Sequence, residues 1–412
     1  RDILGIAHIR AKNDRVMYFL NGYVQAKVRL LQIEVSRRQA AVRLAELLGP
    51  AALPGDVVFR TLGLQRAAVA SLDGYSPMVR RALTAYAAGV NAYVRDNPLP
   101  PEYGLLEISE FEPWTELDSV AVTKLIAFGL SFGLDDINRS QILNAYLTAE
   151  GMPDGFDPLA LFAFDLFRVA PFDPASTVPD SSGVSPVAAA VERNGQAGTA
   201  LPAPLSEGLM RQAGEVLERY RGIDDLRKFA DRDYGAQGSN EWAVAGEHTV
   251  SGRPLLANDP HLALDVPTTF YPLHMRSGNQ NVMGNCFAGV PGIVTGHNDH
   301  IAWGATVNPM DVTDVYFEQV VPDETSPSGF STLFMGSPEH VIPVPEAFFF
   351  NQPGNGVPDD LVQAGPETGV PAATLIVPRR NMGPIISLDP ATGEALSVQY
   401  TGFGPTRELE PF

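Results

Sequence analysis

The periodicity of the apolar residues changes once along this chain, at Ser239, and that change limits the folds open to it. Upstream, apolar side chains recur every three or four residues, which is typical of helices that bury one face. Downstream, apolar and polar residues alternate and turn residues interrupt them, which is typical of strands. The helical pattern covers residues 14–50, 76–96, 115–150 and 206–232. We therefore expect an α+β protein, with helices first and sheets second.

A stretch rich in Pro, Ser, Ala, Gly and Val lies between the first helices and the strands. It covers residues 172–205 and contains the run Asp180-Ser181-Ser182-Gly183. This composition is typical of a flexible linker. At 412 residues the chain is long enough for two or three domains, so its length agrees with a linker at this point.

Composition excludes several classes of partner. Acidic residues outnumber basic ones by 48 to 29, a formal net charge of −19, which argues against nucleic acid and against anionic membrane surfaces. The one cysteine, Cys286, excludes a disulfide within the chain and a thiolate metal cluster. Neither a signal peptide nor an apolar run of about 18 residues is visible. We expect a piece of a longer, periplasmic or secreted protein whose signal lies upstream of Arg1.

The junction Gly238-Ser239 is where the chemistry is expected. A serine after glycine at the head of a strand is most often a turn residue. Here, however, a linker ends and a regular β region begins. Cleavage before Ser239 would give one residue a hydroxyl and a free α-amine with a pKa of about 7.7 to 8.0. That amine is able to act as the base for its own hydroxyl, and Gly238 suits the strained bond that self-cleavage requires.

Several short motifs occur in an order that resembles the penicillin acylase family of N-terminal-nucleophile hydrolases, which includes cephalosporin and acyl-homoserine-lactone acylases. The start of the chain and the first helix resemble the family's opening. The segment from Ser239 resembles the start of its β chain. The matching stretches are Gly5-Ile6-Ala7-His8-Ile9, Gly22 to Ala26, Arg29 to Gln32, Arg37-Arg38, Leu44 to Gly49, Ser239-Asn240-Glu241-Trp242, Asn258-Asp259-Pro260-His261 and Gly292 to Trp303.

The resemblance implies a role for particular residues. Ser239 would be the nucleophile with its freed α-amine as base, and His261 would orient it. The backbone N–H of Val307 would be one oxyanion donor, an interaction whose removal typically costs about 2.7–4 kcal/mol of barrier lowering. Acyl-pocket positions would be Leu262, Thr295 and Pro309. A second oxyanion donor, an asparagine far downstream, would lie beyond Phe412, so we expect this chain alone to be inactive.

The resemblance also implies a structural calcium ion and no organic cofactor. Calcium takes hard oxygen ligands. The candidates are Asp311, the carbonyl of Thr313, Asp314 and a helical partner, Asp136, with Asp135 as the alternative.

The fold that the resemblance implies is a four-layer αββα sandwich with antiparallel sheets, incomplete at its C-terminal side. Residues 1–175 would form the α chain, 176–238 a spacer and 239–412 the start of the β chain, giving an α/β heterodimer from one precursor. The uncharged pocket positions favour an apolar or aromatic acyl group on a small N-acyl amide, with β-lactams and acyl-homoserine lactones both open.

Two other readings of the same residues stay open. The first is a zinc hydrolase that uses His261, His297 and Asp259, which a chelation experiment would separate from a serine mechanism. The second is a non-catalytic, calcium-stabilised acidic binding protein in which Gly238-Ser239 is only a turn.

Overall fold

The computed structural model describes the chain except for residues 152–154, 156, 169–202, 231–237, 263, 265, 307–310 and 412. In the described part, helices dominate up to residue 230 and strands dominate from residue 239, as the change in periodicity predicts. The protein is therefore α+β. The helices are α1 (Asp14–Ala40), α2 (Ala45–Leu48), α3 (Leu53–Leu62), α4 (Leu64–Leu72), α5 (Pro77–Asp96), α6 (Pro101–Leu105), α7 (Glu116–Ser131), α8 (Asp135–Leu147), α9 (Pro158–Arg168), α10 (Glu207–Arg221) and α11 (Asp224–Ala230).

Helices α1 and α5 pack closely because glycines lie where they cross. A Cβ on Gly22 would fall 2.1 Å from the carbonyl oxygen of Tyr86, and a Cβ on Gly89 would fall 1.9 Å from that of Phe19. Neither distance is possible for a real side chain, so both glycines are required for this approach. The predicted start of α5 is confirmed, since the Ser76 hydroxyl accepts the N–H of Val79 at 3.4 Å.

Three of the predicted helices are interrupted. The helix predicted over 14–50 ends at Ala40, where Val42 adopts a φ of 60°. The helix predicted over 115–150 splits into α7 and α8 because Phe132 and Leu134 leave the helical path and bury their side chains in the core. The helix predicted over 206–232 splits at Gly222. The stretch 116–147 is apolar enough to span a membrane by composition, but half of its most apolar window is buried inside the protein, as in a core helix.

The strands form two larger sheets and two separate hairpins in the described residues. The five-stranded sheet has the order β1-β4-β5-β6-β7, and the seven-stranded sheet has the order β10-β9-β8-β16-β15-β14-β11. The hairpins are β2-β3 and β12-β13. The strands are β1 (Ala7–Arg10), β2 (Ser239–Val244), β3 (Leu255–Pro260), β4 (Phe270–Arg276), β5 (Asn281–Phe287), β6 (Thr295–Asn298), β7 (Ala302–Trp303), β8 (Thr313–Pro322), β9 (Phe330–Phe334), β10 (Ser337–His340), β11 (Ile342–Pro345), β12 (Phe349–Asn351), β13 (Leu361–Gln363), β14 (Ala373–Val377), β15 (Gly383–Leu388) and β16 (Glu394–Tyr400).

The expectation of purely antiparallel sheets is wrong at one place, because β1 pairs with β4 in parallel. The other strand pairs described are antiparallel. Parallel neighbours need a long connection between them, and here more than two hundred residues separate the two strands. The sheet thus joins the start of the chain to the region that follows Ser239.

The segment predicted as a spacer, residues 176–238, contains the helices α10 and α11, as the helical pattern over 206–232 predicts. Residues 176–202 and 231–237 lie outside the described part of the chain, but α10 and α11 belong to the core. Leu209, Val216 and Tyr220 are buried in the same cluster as Phe128 and Tyr400. Polar contacts reinforce this packing: Gln212 donates to the carbonyl of Glu394 at 3.2 Å and accepts from the hydroxyl of Ser387 at 2.9 Å. A spacer that included α10 could not be removed without opening the core.

Candidate functional site

Ser239 is the first residue of the hairpin β2-β3, and its position is fixed by backbone pairing. It lies opposite Pro260 in the antiparallel register. The ladder extends by one further bond, from the backbone N–H of His261 to the carbonyl oxygen of Gly238 at 3.1 Å. The predicted junction and the predicted orienting histidine are therefore adjacent in space. The carbonyl of the Gly238-Ser239 peptide bond, which the predicted self-cleavage would have to attack, already accepts a hydrogen bond.

The imidazole of His261 is held by a carboxylate on its own strand end. Its Nε2 lies 3.1 Å from Oδ2 of Asp259. Both side chains are exposed, at 47 % and 65 % of their full surface, so the pair is in contact with solvent. A carboxylate beside a histidine fixes the orientation of the ring. Asp259 is thus placed to orient the imidazole ring of His261 near the start of β2.

A short loop after β7 packs onto the hairpin and is clamped there by Asn258. The Asn258 side-chain amide donates to the carbonyl of Ala305 at 2.8 Å and accepts the N–H of Ala305 at 3.3 Å. The hydroxyl of Thr306 donates to the carbonyl of Ser239 at 2.6 Å. Because each of these bonds joins the loop to β2 or β3, the loop is held at a fixed position beside Ser239.

Gly304 permits this close approach. A Cβ at residue 304 would lie 2.7 Å from Oε1 of Glu241 and 2.8 Å from Cγ of Asn258. Such contacts are shorter than real Cβ atoms make. A glycine is therefore needed where the loop crosses the hairpin.

Asn258, Gly304 and Thr306 were not given a role by the sequence. Asn258 lies inside the motif Asn258-Asp259-Pro260-His261, and Gly304 and Thr306 lie just after the stretch Gly292 to Trp303. The available signal was that Thr306 directly precedes the predicted oxyanion donor Val307 and that Asn258 lies three residues before His261. Sequence spacing does not reveal which of those polar residues faces the partner segment, because that depends on how the loop folds back.

The other predicted site residues are placed as follows. Val307 and Pro309 lie outside the described residues. Leu262 follows His261 and its N–H bonds the carbonyl of Pro260 at 3.1 Å. Thr295 is buried at the start of β6, where its hydroxyl accepts a bond from the Asn285 amide at 3.4 Å. The roles of these residues stay predictions.

The strain expected at the bond between Gly238 and Ser239 stays a prediction, and the conformation of Gly238 itself is one that other residues also adopt. Gly238 does not adopt a positive φ, and no atom lies within 4 Å of the position that its Cβ would take. Neither conformation nor crowding requires a glycine here. The absence of a side chain instead leaves the Gly238 carbonyl open to approach.

The candidate calcium ligands lie at the junction of α8 and β8. Oδ2 of Asp136 accepts the N–H of Val315 at 3.1 Å, which favours Asp136 over Asp135 as the helical candidate. Burial raises the pKa of Asp136, and the nearby charges of Asp311 and Asp314 raise it further. The chemistry of these oxygens suits a hard cation. However, among the residues that the structure describes, no three His, Cys, Asp or Glu side chains converge as a metal-binding group.

The same finding bears on the zinc hypothesis. His261 contacts Asp259 as described above, while His297 lies on β6 with its Nδ1 3.4 Å from the carbonyl of Asn298. Neither forms part of a three-residue metal-binding group within the described ranges.

Comparison with known proteins identifies the family of this chain. The family model described as penicillin amidase matches residues 1–412, so the chain belongs to the penicillin amidase family. Its relatives include the penicillin acylase 2 proenzyme of Pseudomonas sp. (strain SE83), 30% identical over 408 residues, which are 98% of this chain and 45% of the relative.

Two further relatives differ in the activity that their names give. The acyl-homoserine lactone acylase QuiP of Pseudomonas aeruginosa is 32% identical over 329 residues, 78% of this chain and 34% of the relative. Penicillin G acylase of Escherichia coli is 26% identical over 344 residues, 78% of this chain and 40% of the relative. The chain thus spans less than half the length of these curated relatives.

Proposed function

We propose that this chain carries the nucleophile of an autoprocessed amidohydrolase that cleaves N-acyl amides through an acyl-Ser239 intermediate. The observation that carries the proposal is the bond from the His261 N–H to the Gly238 carbonyl, with Ser239 at the head of β2. Gly238 supplies the carbonyl, the next residue, Ser239, supplies the hydroxyl, and His261 on the paired strand end supplies the donor to that carbonyl. The family membership supports the same chemistry.

Processing would begin on the intact peptide bond between Gly238 and Ser239. The Ser239 hydroxyl oxygen attacks the Gly238 carbonyl carbon and passes its proton to the departing amide nitrogen, so that an ester replaces the amide. Water then hydrolyses the ester, which leaves a Gly238 carboxylate and a Ser239 with a free α-amine. The His261 N–H, already bonded to the Gly238 oxygen, stabilises the negative charge that develops there.

The mature reaction would use the same serine with a different acyl group. The freed α-amine takes the proton of the Ser239 hydroxyl as the oxygen attacks the substrate carbonyl. The amine of the substrate leaves with that proton, and water releases the acid. Asn258 and Thr306 support this role, because they hold the segment that leads into Val307, the proposed backbone oxyanion donor.

The substrate we propose is a small N-acyl amine with an apolar or aromatic acyl group. Leu262, Thr295 and Pro309 are uncharged, which suits such a group. The relatives named above are a penicillin acylase, a penicillin G acylase and an acyl-homoserine lactone acylase. Cleavage of the side-chain amide of a β-lactam is therefore the first candidate, and an acyl-homoserine lactone is the second.

The test is hydrolysis by the full-length gene product of a panel containing penicillin G and acyl-homoserine lactones of different chain length. We expect release of the amine from at least one class, and loss of that activity in Ser239→Ala. Ser251→Ala, in the turn of the same hairpin, is the matched control and should keep it. An active Ser239→Ala variant would overturn the proposed nucleophile.

We further propose the four-layer sandwich, the α/β heterodimer, export to the periplasm or medium, and a structural calcium ion held by Asp136, Asp311, Asp314 and the Thr313 carbonyl. The acidic surroundings of Asp136 support the last of these. Calorimetric titration of the full-length protein with Ca²⁺ should give binding that Asp136→Asn weakens and that Asp135→Asn, one residue away, leaves unchanged. Equal binding by wild type and Asp136→Asn would contradict this ligand set.

A further inference from the structure

Two histidines face each other across the parallel pair β1-β4, far along the sequence from each other. His8 lies directly opposite His274 in the register. Their Nδ1 atoms are 3.0 Å apart, and the rings meet edge to face at an interplanar angle of 89°. This pair plays no part in the chemistry proposed for Ser239.

The other nitrogen of each ring bonds an oxygen that only accepts. His8 Nε2 lies 3.0 Å from Oδ2 of Asp2, and His274 Nε2 lies 2.9 Å from Oδ1 of Asn281. The orientation of the Asn281 amide is fixed, because its Nδ2 donates to Oδ1 of Asp299 at 2.6 Å. The hydrogen bond from His8 lowers the pKa of Asp2, so this carboxylate accepts. Each Nε2 therefore carries the hydrogen.

A neutral imidazole has one N–H and one bare nitrogen. With both hydrogens on Nε2, both Nδ1 atoms are acceptors, and they lie only 3.0 Å apart. Two acceptors at that distance repel unless a positive centre lies between them. We propose that His8 and His274 form a binding site for a divalent transition-metal cation of the zinc type, with the two Nδ1 atoms as ligands.

The geometry suits such an ion. Two Zn–N bonds of about 2.0 to 2.1 Å at a tetrahedral angle place their nitrogens about 3.3 Å apart, so the present separation needs only a small opening. Imidazole nitrogens are preferred ligands of zinc, copper and nickel. Metal-bound histidines usually donate their other N–H to a carboxylate or carbonyl oxygen, and Asp2 and Asn281 occupy those positions here.

Water would complete the coordination. His8 is exposed and His274 is half-buried, so solvent reaches the space between them. Two protein ligands give weaker binding than the four of a structural zinc site. A cation at this site would join β1 to β4, and its occupancy would stabilise the attachment of the chain's first strand to the five-stranded sheet.

The test is calorimetric titration of the full-length protein with Zn²⁺ in a buffer that does not bind metal. We expect binding that His8→Gln and His274→Gln each weaken at least tenfold. Asp2→Asn keeps both ligands and should weaken it by about ten- to a hundredfold, the range for partners of a ligand. His297→Gln, a histidine of the other zinc hypothesis, is the matched control and should bind as wild type does.

Thermal unfolding provides a second measurement that does not depend on a variant's folding yield. The midpoint of wild type and of His297→Gln should rise with Zn²⁺ concentration, and that of His8→Gln should not. Two results would overturn the proposal. One is the absence of binding up to millimolar Zn²⁺, which would mean that only a proton lies between the rings. The other is equal binding by wild type and His8→Gln.

Discussion

The carbonyl oxygen of Gly238 accepts a hydrogen bond from the backbone N–H of His261 at 3.1 Å, across the open end of the hairpin β2-β3. The bond continues the ladder in which Ser239 faces Pro260. The Gly238-Ser239 bond, which we propose is cleaved, therefore lies next to His261, the residue predicted to orient the nucleophile. The hairpin alone therefore assembles the reacting carbonyl, the serine and a donor.

The clamp made by Asn258 leads to a first prediction. Asn258→Ala removes both bonds to Ala305, so the loop that carries the proposed oxyanion donor is no longer held beside Ser239. Because small misplacements of reacting groups cost on the order of a hundredfold, we expect kcat to fall by about that factor with little change in stability. Asn355→Ala, in a distant exposed loop, is the control, and a kcat equal to wild type for Asn258→Ala would argue against the clamp.

A second prediction concerns Gly304. In Gly304→Ala the new Cβ would meet Glu241 and Asn258 at less than 3 Å, so either the loop or the hairpin must move. We expect a loss of about 1–3 kcal/mol of stability, as for other overpacked sites, together with reduced activity. Denaturant unfolding measures the first effect. Gly104→Ala, with no atom within 4 Å of its Cβ position, should lose neither stability nor activity.

A third prediction follows from the burial of α10. Each fully buried Leu or Val side chain contributes roughly 1.5–3 kcal/mol. Leu209, Val216, Leu217 and Tyr220 are all buried. We therefore expect residues 207–230 to remain with the mature enzyme. Intact masses of the mature fragments should include this segment. If the mature protein lacked residues 207–230, the prediction would be wrong, and the core would have to be rebuilt after processing.

A fourth prediction is a pH dependence at the pair Arg43–Glu112. Hydrogen bonds from Arg43, at 2.9 and 2.6 Å, hold the pKa of Glu112 at about 2, below its usual 4.5. The pair therefore contributes stability above pH 4.5 that is lost as the pH falls towards 2. Because Glu112 is half exposed, the contribution is at most about 1 kcal/mol.

The measurement for this pair is the unfolding free energy of wild type and Glu112→Gln across that range. The difference should be present at pH 7 and disappear near pH 2. A difference that is independent of pH would assign the effect to packing instead of charge.

The sequence predicted local features of this fold better than tertiary ones. Ser76 at the start of α5 and the alternation after Ser239 are signals carried by adjacent residues, and both are confirmed. The break between α7 and α8 was missed because Phe132 and Leu134 leave the helix to fill a core that residues far along the chain complete. The strand β1 was missed for the same reason, since its partner β4 follows more than two hundred residues later.

In the candidate site too, the sequence predicted the local features and missed the tertiary contacts. The family motifs drew attention to Ser239 and His261, which the structure brings together through Gly238. They did not reveal the bonds of Asn258 or Thr306, because these depend on a loop returning from another sheet.

The most direct test of the account is N-terminal sequencing of the fragments made from the full-length gene. We predict two chains for the wild type, one of which begins Ser239-Asn240-Glu241-Trp242, and a single uncleaved chain for Ser239→Ala. Wild-type protein that remains one chain while hydrolysing N-acyl amides, or cleavage before residue 239 that persists in Ser239→Ala, would contradict it.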